Sequence, residues 1–156
     1  MQVKEVMSKE VITVKRSTTL RQLLEIFANF HIFPLVPVIE EDNRLVGIVS
    51  FRNLINVFHL HQTEILKAVP FLDEEKEDIF KVEFTEEIGS LVVAEDIMET
   101  KFITIREDAS LEETYKQLRL HLKDEFPVVD KADRLVGMIG VFDIIRQIFR
   151  QKGVIK

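Results

Sequence analysis

The chain has 156 residues, 46% hydrophobic and 31% charged, with a formal net charge of −6. This composition is ordinary for a globular protein, and the length suits one compact domain or two small halves sharing a core. There is no cysteine, which excludes disulfides, a thiolate nucleophile and a Cys-type zinc site. No apolar run approaches the ~20 residues needed to span a bilayer.

The charge is unevenly placed. Between Asp73 and Glu87 stand eight acids and two bases, so this one segment carries the whole net charge. It reads as a solvated linker. Nothing suggests the basic face that a nucleic-acid partner requires. Met1–Glu5 is charged where a secretory leader needs an apolar core, and the expected location is the cytoplasm.

In chain order, Val3–Glu10 is a short lead-in, echoed by Ala94–Lys101. Val11–Val14 and Phe102–Ile105 are β-branched and aromatic runs that predict short strands. Thr19 with Gln22, and Ser110 with Glu113, match the capping box at a helix start. Leu20, Leu23, Leu24, Phe27 and Phe30 then follow at helical spacing, as do Leu111, Tyr115, Leu118 and Leu122.

A hairpin comes next in each copy. Pro37-Val38-Ile39 and Arg44-Leu45-Val46-Gly47-Ile48-Val49 return, 90 residues later, as Pro127-Val128-Val129 and Arg134-Leu135-Val136-Gly137-Met138-Ile139. The intervening Asp and Asn residues suit a turn with left-handed geometry. Gly47 and Gly137, inside the returning strands, predict a close backbone approach by another segment or by a ligand. A second helix begins near Phe51 and near Val141. Between the copies, Ile65, Leu66 and Val69 extend the preceding helix up to Pro70, while Phe80, Val82 and Phe84 alternate as in a short strand.

The pattern is thus two β-α-β-β-α units, residues 1–60 and 93–156, joined by an acidic connector, 61–92. Each unit also carries a version of Gly-h-h-Ser/Thr-x-x-Asp, where h is apolar, running from the last strand into the last helix. Physically, a hydroxyl at a helix start lies beside free amides and seats a phosphate. An Asp one turn further in accepts hydrogen bonds from both hydroxyls of a ribose.

With its order of elements, its Pro-Val-Ile/Val before the turn and its duplicated motif, the chain resembles a free-standing pair of CBS domains, a Bateman module. The resemblance implies an α+β fold in which the repeats pack sheet to sheet about a pseudo-twofold axis. Two clefts between the repeats would take an adenosine compound: AMP, ADP, ATP or S-adenosylmethionine. It also implies a regulatory role upon a separate protein, and a homodimer.

Both motif copies depart from the family pattern. Copy one keeps the hydroxyl of Ser50 but has Asn53 in place of the acid; copy two keeps Asp143 but has Gly140 in place of the hydroxyl. The Asp143 cleft is therefore the preferred nucleoside site. Ile12, Thr13, Ile103 and Thr104 match family positions lining an adenine slot, or are ordinary strand residues. Arg52 is a phosphate ligand or an exposed helix arginine. The four histidines are scattered, with His59 and His61 two apart and so pointing away from each other on a helix; no metal site is expected. Phosphate-loop, Gly-x-Ser-x-Gly and His-Glu-x-x-His motifs are missing, so no catalysis is expected. The alternative reading is a dimerisation or partner-docking protein whose nucleotide clefts have decayed.

Overall fold

The computed structural model of the chain describes residues 1–29, 35–59, 79–81 and 83–156. A 3₁₀ turn, Val3–Glu5, opens the chain. Helix α1 (Leu20–Ala28) precedes strands β1 (Leu35–Ile39) and β2 (Leu45–Ser50), and β2 runs directly into α2 (Phe51–Leu54) and a 3₁₀ turn, Ile55–His59. A further 3₁₀ turn, Ile79–Lys81, and the short helices α3 (Ile88–Leu91) and α4 (Ala94–Ile97) lead to the second copy. There, β3 (Ile105–Arg106), α5 (Leu111–Leu120), β4 (Glu125–Val129), β5 (Leu135–Gly140) and α6 (Val141–Gln151) repeat the order of the first. Among the described residues no helix is long and apolar enough to cross a membrane.

Local chemistry explains most of these boundaries. Thr19 Oγ1 accepts the Gln22 amide at 3.2 Å while Gln22 Oε1 accepts the Thr19 amide at 3.0 Å, a complete capping box. Ser110 makes only half of one. Its Oγ accepts the Glu113 amide at 3.1 Å, but the Glu113 carboxylate turns outward to Gln117 Nε2 at 2.8 Å. Both hairpin turns place their Asn or Asp at positive φ, 65° at Asn43 and 59° at Asp133. Both antiparallel pairs also slip register at matched points, Val38/Ile39 and Val128/Val129.

The strands expected at Val11–Val14 and Phe102–Ile105 are shorter than their composition suggests. The first is reduced to a parallel bridge between Val14 and Val38, and the second becomes Ile105–Arg106 beside β4. Proline is the physical cause. The Val14 amide donates to Pro37 O and the Ile39 amide to Val14 O. The next rung back would need an amide on Pro37, and in the second copy on Pro127, which neither has.

The connector also differs from expectation. The alternating Phe80–Phe84 segment begins as the 3₁₀ turn Ile79–Lys81, and Phe84 sets its ring 5.5 Å from that of Phe58 instead of entering a sheet. Val82 and the helical extension through Ile65, Leu66 and Val69 lie outside the described residues.

Among the described residues two apolar clusters form the core, and the lead-ins cross between them. Val3 is fully buried in the cluster of the second repeat, with Phe126 and Ile139. Ala94 and Ile97, at the head of the second repeat, are buried in the cluster of the first, with Leu23 and Val49. Backbone bonds fix the exchange: Val3 N to Ala109 O at 2.9 Å and Ser8 with Met138 on one side, Ala94 N to Thr18 O at 2.8 Å and Ile48 with Glu99 on the other.

The glycines make this exchange sterically feasible. A Cβ on Gly137 would lie 2.7 Å from both the Ser8 carbonyl oxygen and Met7 Sδ; one on Gly47 would lie 2.5 Å from Met98 Sδ. The close approach is therefore made by the other repeat's lead-in. The hairpin tips complete the pseudo-twofold pairing. Leu45 N donates to Asp133 O at 3.2 Å, and Leu135 N donates to Asn43 O at 2.9 Å.

Candidate ligand cleft

At each strand-to-helix junction an extended residue stands directly before the helix, Ser50 (φ −104°) or Gly140 (φ −124°). The third helical residue then folds its side chain back. Asn53 Oδ1 accepts the Ser50 amide at 2.7 Å, and Asp143 Oδ2 accepts the Gly140 amide at 2.9 Å. The polar residues of the motif thus cap their own helices. Ser50 Oγ also donates to Asn53 Oδ1, at 2.9 Å, and Asp143 Oδ1 accepts from Arg146 Nη2 at 3.1 Å.

Packing around Gly140 is tight. The Val141 amide donates to Asp124 O at 2.9 Å, and a Cβ on Gly140 would lie 3.1 Å from that same oxygen. A side chain there would need the Asp124 carbonyl to give by a few tenths of an ångström.

A cleft of about 240 Å³ opens between the repeats, lined by Leu35, Ser50, Phe51 and Arg52 from the first and by Leu122, Lys123, Asp124 and Glu125 from the second. Ser50 and Arg52 are in its wall. Asp143 and Gly140 adjoin it from behind, through Asp124 and Glu125. Thr13 lies elsewhere, in a cleft of about 180 Å³ with Lys9, Val11, Asn43 and Leu135–Gly137. Asn53, Ile12, Ile103 and Thr104 line neither cleft, and Ile12 is half exposed. A larger, open depression of about 440 Å³ beside Lys15–Ser17 holds none of the expected residues. Its Arg16 is spanned by Glu40 and Glu95, each at 3.2 Å.

Glu125 was not legible from the motif. Its Oε1 accepts the Leu35 amide at 3.0 Å, tying the start of β1 in one repeat to the start of β4 in the other. Burial raises its pKa above the ordinary carboxylate value. The Leu35 hydrogen bond opposes that shift, while the charges of Asp143 and Asp124 add to it. Leu35 is its repeat mate, 90 positions earlier; an acid facing an aliphatic residue at matched positions was the available signal.

The folded pKa lies above the unfolded one, so Glu125 contributes stability that is fully present below its unfolded pKa and declines as pH rises through the folded pKa. Glu125→Gln keeps an acceptor for Leu35 without the charge. It is expected to melt higher than wild type at about pH 8, with the gap closing toward about pH 4. Melting curves across that range decide it; parallel curves for the two proteins would refute it.

The architecture defines a class: a tandem pair of α+β repeats, related by a pseudo-twofold axis, with clefts between the halves. The sequence profile of the CBS domain matches residues 3–60 and 93–150, and the chain belongs to the CBS domain family. A CBS domain-containing protein of Dictyostelium discoideum is 29% identical over 143 residues, covering 92% of this chain and 88% of that protein. An inosine-5′-monophosphate dehydrogenase of Methanocaldococcus jannaschii is 26% identical, but the match takes in only 23% of its length.

Among solved structures, CBSX2 in complex with AMP superposes with a TM-score of 0.71 at 21% identity, covering 97% of this chain and 98% of that one. The CBS domain pair of protein MJ0100, in complex with 5′-methylthioadenosine and S-adenosyl-L-methionine, gives 0.63 at 22% identity over 97% of this chain and 98% of that one. At these identities the likeness is one of fold.

Proposed function

We propose that the chain is a regulatory module that senses an adenosine compound in the cleft between its repeats, without catalysis, and passes the signal to a separate protein in the cytoplasm. The observation that carries this reading is Asp143. One acid of the motif is retained at the head of an 11-residue helix, held by the Gly140 amide, beside a cleft of about 240 Å³. Its carboxylate is suited to a ribose diol, and Ser50 and Arg52 across the cleft suit a phosphate or a carboxylate. Bound AMP, 5′-methylthioadenosine and S-adenosylmethionine in proteins of this fold support the choice of ligand class. We assign Asp143 and Gly140 to the nucleoside end and Ser50 and Arg52 to the anionic end. Asn53 serves as a helix cap, and Ile12, Thr13, Ile103 and Thr104, none of which lines this cleft, stay outside the assignment.

A second reading rests on α6, whose outer side exposes Phe142 at 70%, with Ile145, Ile148 and Phe149 each near 40%. An apolar stripe of this kind suits a second copy of the chain. With Asn53 and Gly140 both departing from the motif, the protein would then serve dimerisation or docking alone.

A thermal screen with AMP, ADP, ATP and S-adenosylmethionine separates the two. A ligand present at 100 times its dissociation constant adds ~2.7 kcal/mol, which is about 5–11 °C for a chain of this size. We expect such a rise with one of the four compounds. A flat response to all four would favour the docking reading, which sedimentation of the free protein then tests.

A further inference from the structure

The Asp143 carboxylate is occupied at both oxygens. Its bond to the Gly140 amide is a helix cap, matched in copy one by Asn53 on Ser50. Its bond to Arg146 has no such match, because the position corresponding to Arg146, 90 residues earlier, is Asn56. We propose that Arg146 is an internal competitor for Asp143: it holds the carboxylate beside the cleft and must release it before sugar hydroxyls bind. The inference rests on the reading of Asp143 as the sugar-binding acid.

Geometry and charge both support competition rather than permanent structure. The cap uses Oδ2 and leaves lone pairs on both oxygens, but the guanidinium sits 3.1 Å from Oδ1, where one hydroxyl of a diol would donate. The pair is only partly shielded, with Arg146 39% and Asp143 20% exposed, so it is weak and easily screened. Arg146 is also held by a second contact on its own helix while it bonds Asp143. Its guanidinium carbon lies 5.7 Å from the centre of the Phe142 ring, a cation–π distance, on the exposed stripe of α6. Asp143 and Asp124 both act through their charge on Glu125, and a cation beside this group of carboxylates is favoured. Ligand binding would thus leave the Arg146 charge beside Phe142 without its carboxylate partner, on the exposed side of α6.

The test is adenosine binding by calorimetry to the full chain as wild type, Arg146→Gln and Asp143→Ala, at about 50 mM and about 500 mM salt. Adenosine carries no phosphate, so a direct Arg146–phosphate contact does not enter. Arg146→Gln is expected to bind two- to fivefold more tightly at low salt, the equivalent of about 0.4–1 kcal/mol. Wild type should gain affinity with salt, and the variant should not. Equal or weaker binding by Arg146→Gln at both salts overturns the proposal while leaving the site intact. Undiminished binding by Asp143→Ala overturns the underlying assignment of the acid, and the proposal with it. If the three proteins bind no adenosine at all, both are overturned. Melting curves of each variant establish that it is folded.

Discussion

Gly137→Val is expected to lower the melting temperature by about 6–12 °C, the shift for a loss of ~3 kcal/mol in a chain of this length. The cause is where the added atoms would go. At Gly137 a Cβ meets the Ser8 carbonyl oxygen and Met7 Sδ, both at 2.7 Å. Ser8 is fixed in place by reciprocal backbone bonds with Met138, each 2.9 Å, so it has no room to retreat without breaking the bridge. Gly47 is the internal control. Its added Cβ meets Met98 Sδ at 2.5 Å and Cγ at 3.0 Å, while the Glu99 carbonyl is 3.3 Å away. A methionine side chain can swing aside, so Gly47→Ala should cost less than Gly137→Ala. Thermal melts of the variants measure this directly. A soluble Gly137→Val protein melting within about 2 °C of wild type would show that the lead-in does not pack against β5 this closely.

The same exchange marks where sequence reasoning stopped. The repeat, the hairpins and their left-handed turn residues were legible because each has a local cause: Asn43 and Asp133 tolerate positive φ, and Thr19 offers its own cap. The need for glycine at 47 and 137 was legible as well. What remained hidden was which segment comes close, since Val3 and Ala94 lie in pieces too short to state which core they enter. Pro37 and Pro127 were visible as markers of the repeat. Their second effect, stopping the parallel ladder before Val14 and before Ile105, depends on which strand lies alongside.

The candidate site was legible in part for the same reason. The spacing of Ser50 to Asn53 and of Gly140 to Asp143 is that of a helix start, and each later residue does turn back to its cap. Glu125 and Asp124 reach the cleft through tertiary packing, and a polar residue at a strand start reads as solvated from sequence alone. The asymmetry between repeats carries the functional argument. The bulges, turns and strand glycines recur in both copies and serve the fold; Glu125 against Leu35 and Arg146 against Asn56 are differences that fall at or near one cleft.

Asp143→Ala is expected to reduce affinity for the responding adenosine compound by tenfold or more. A hydrogen bond to a charged group is worth ~1.5–3 kcal/mol, and each 1.4 kcal/mol is about tenfold in binding. The variant also removes an acceptor from the Gly140 amide and the partner of Arg146. Loss of a helix cap costs ~1 kcal/mol, so a fall of about 2–4 °C in melting temperature should accompany it. That side effect makes Asp143→Asn the sharper variant, and the protein already contains its template. Asn53 keeps its helix capped, through Oδ1 at 2.7 Å from the Ser50 amide, with no charge. Asp143→Asn should therefore melt close to wild type and still bind about tenfold more weakly, because an amide oxygen replaces one carboxylate oxygen and an NH₂ donor replaces the other. Titration of both variants against wild type measures the separation. Full affinity in Asp143→Asn would mean that the carboxylate is there to start α6 and not to hold a sugar.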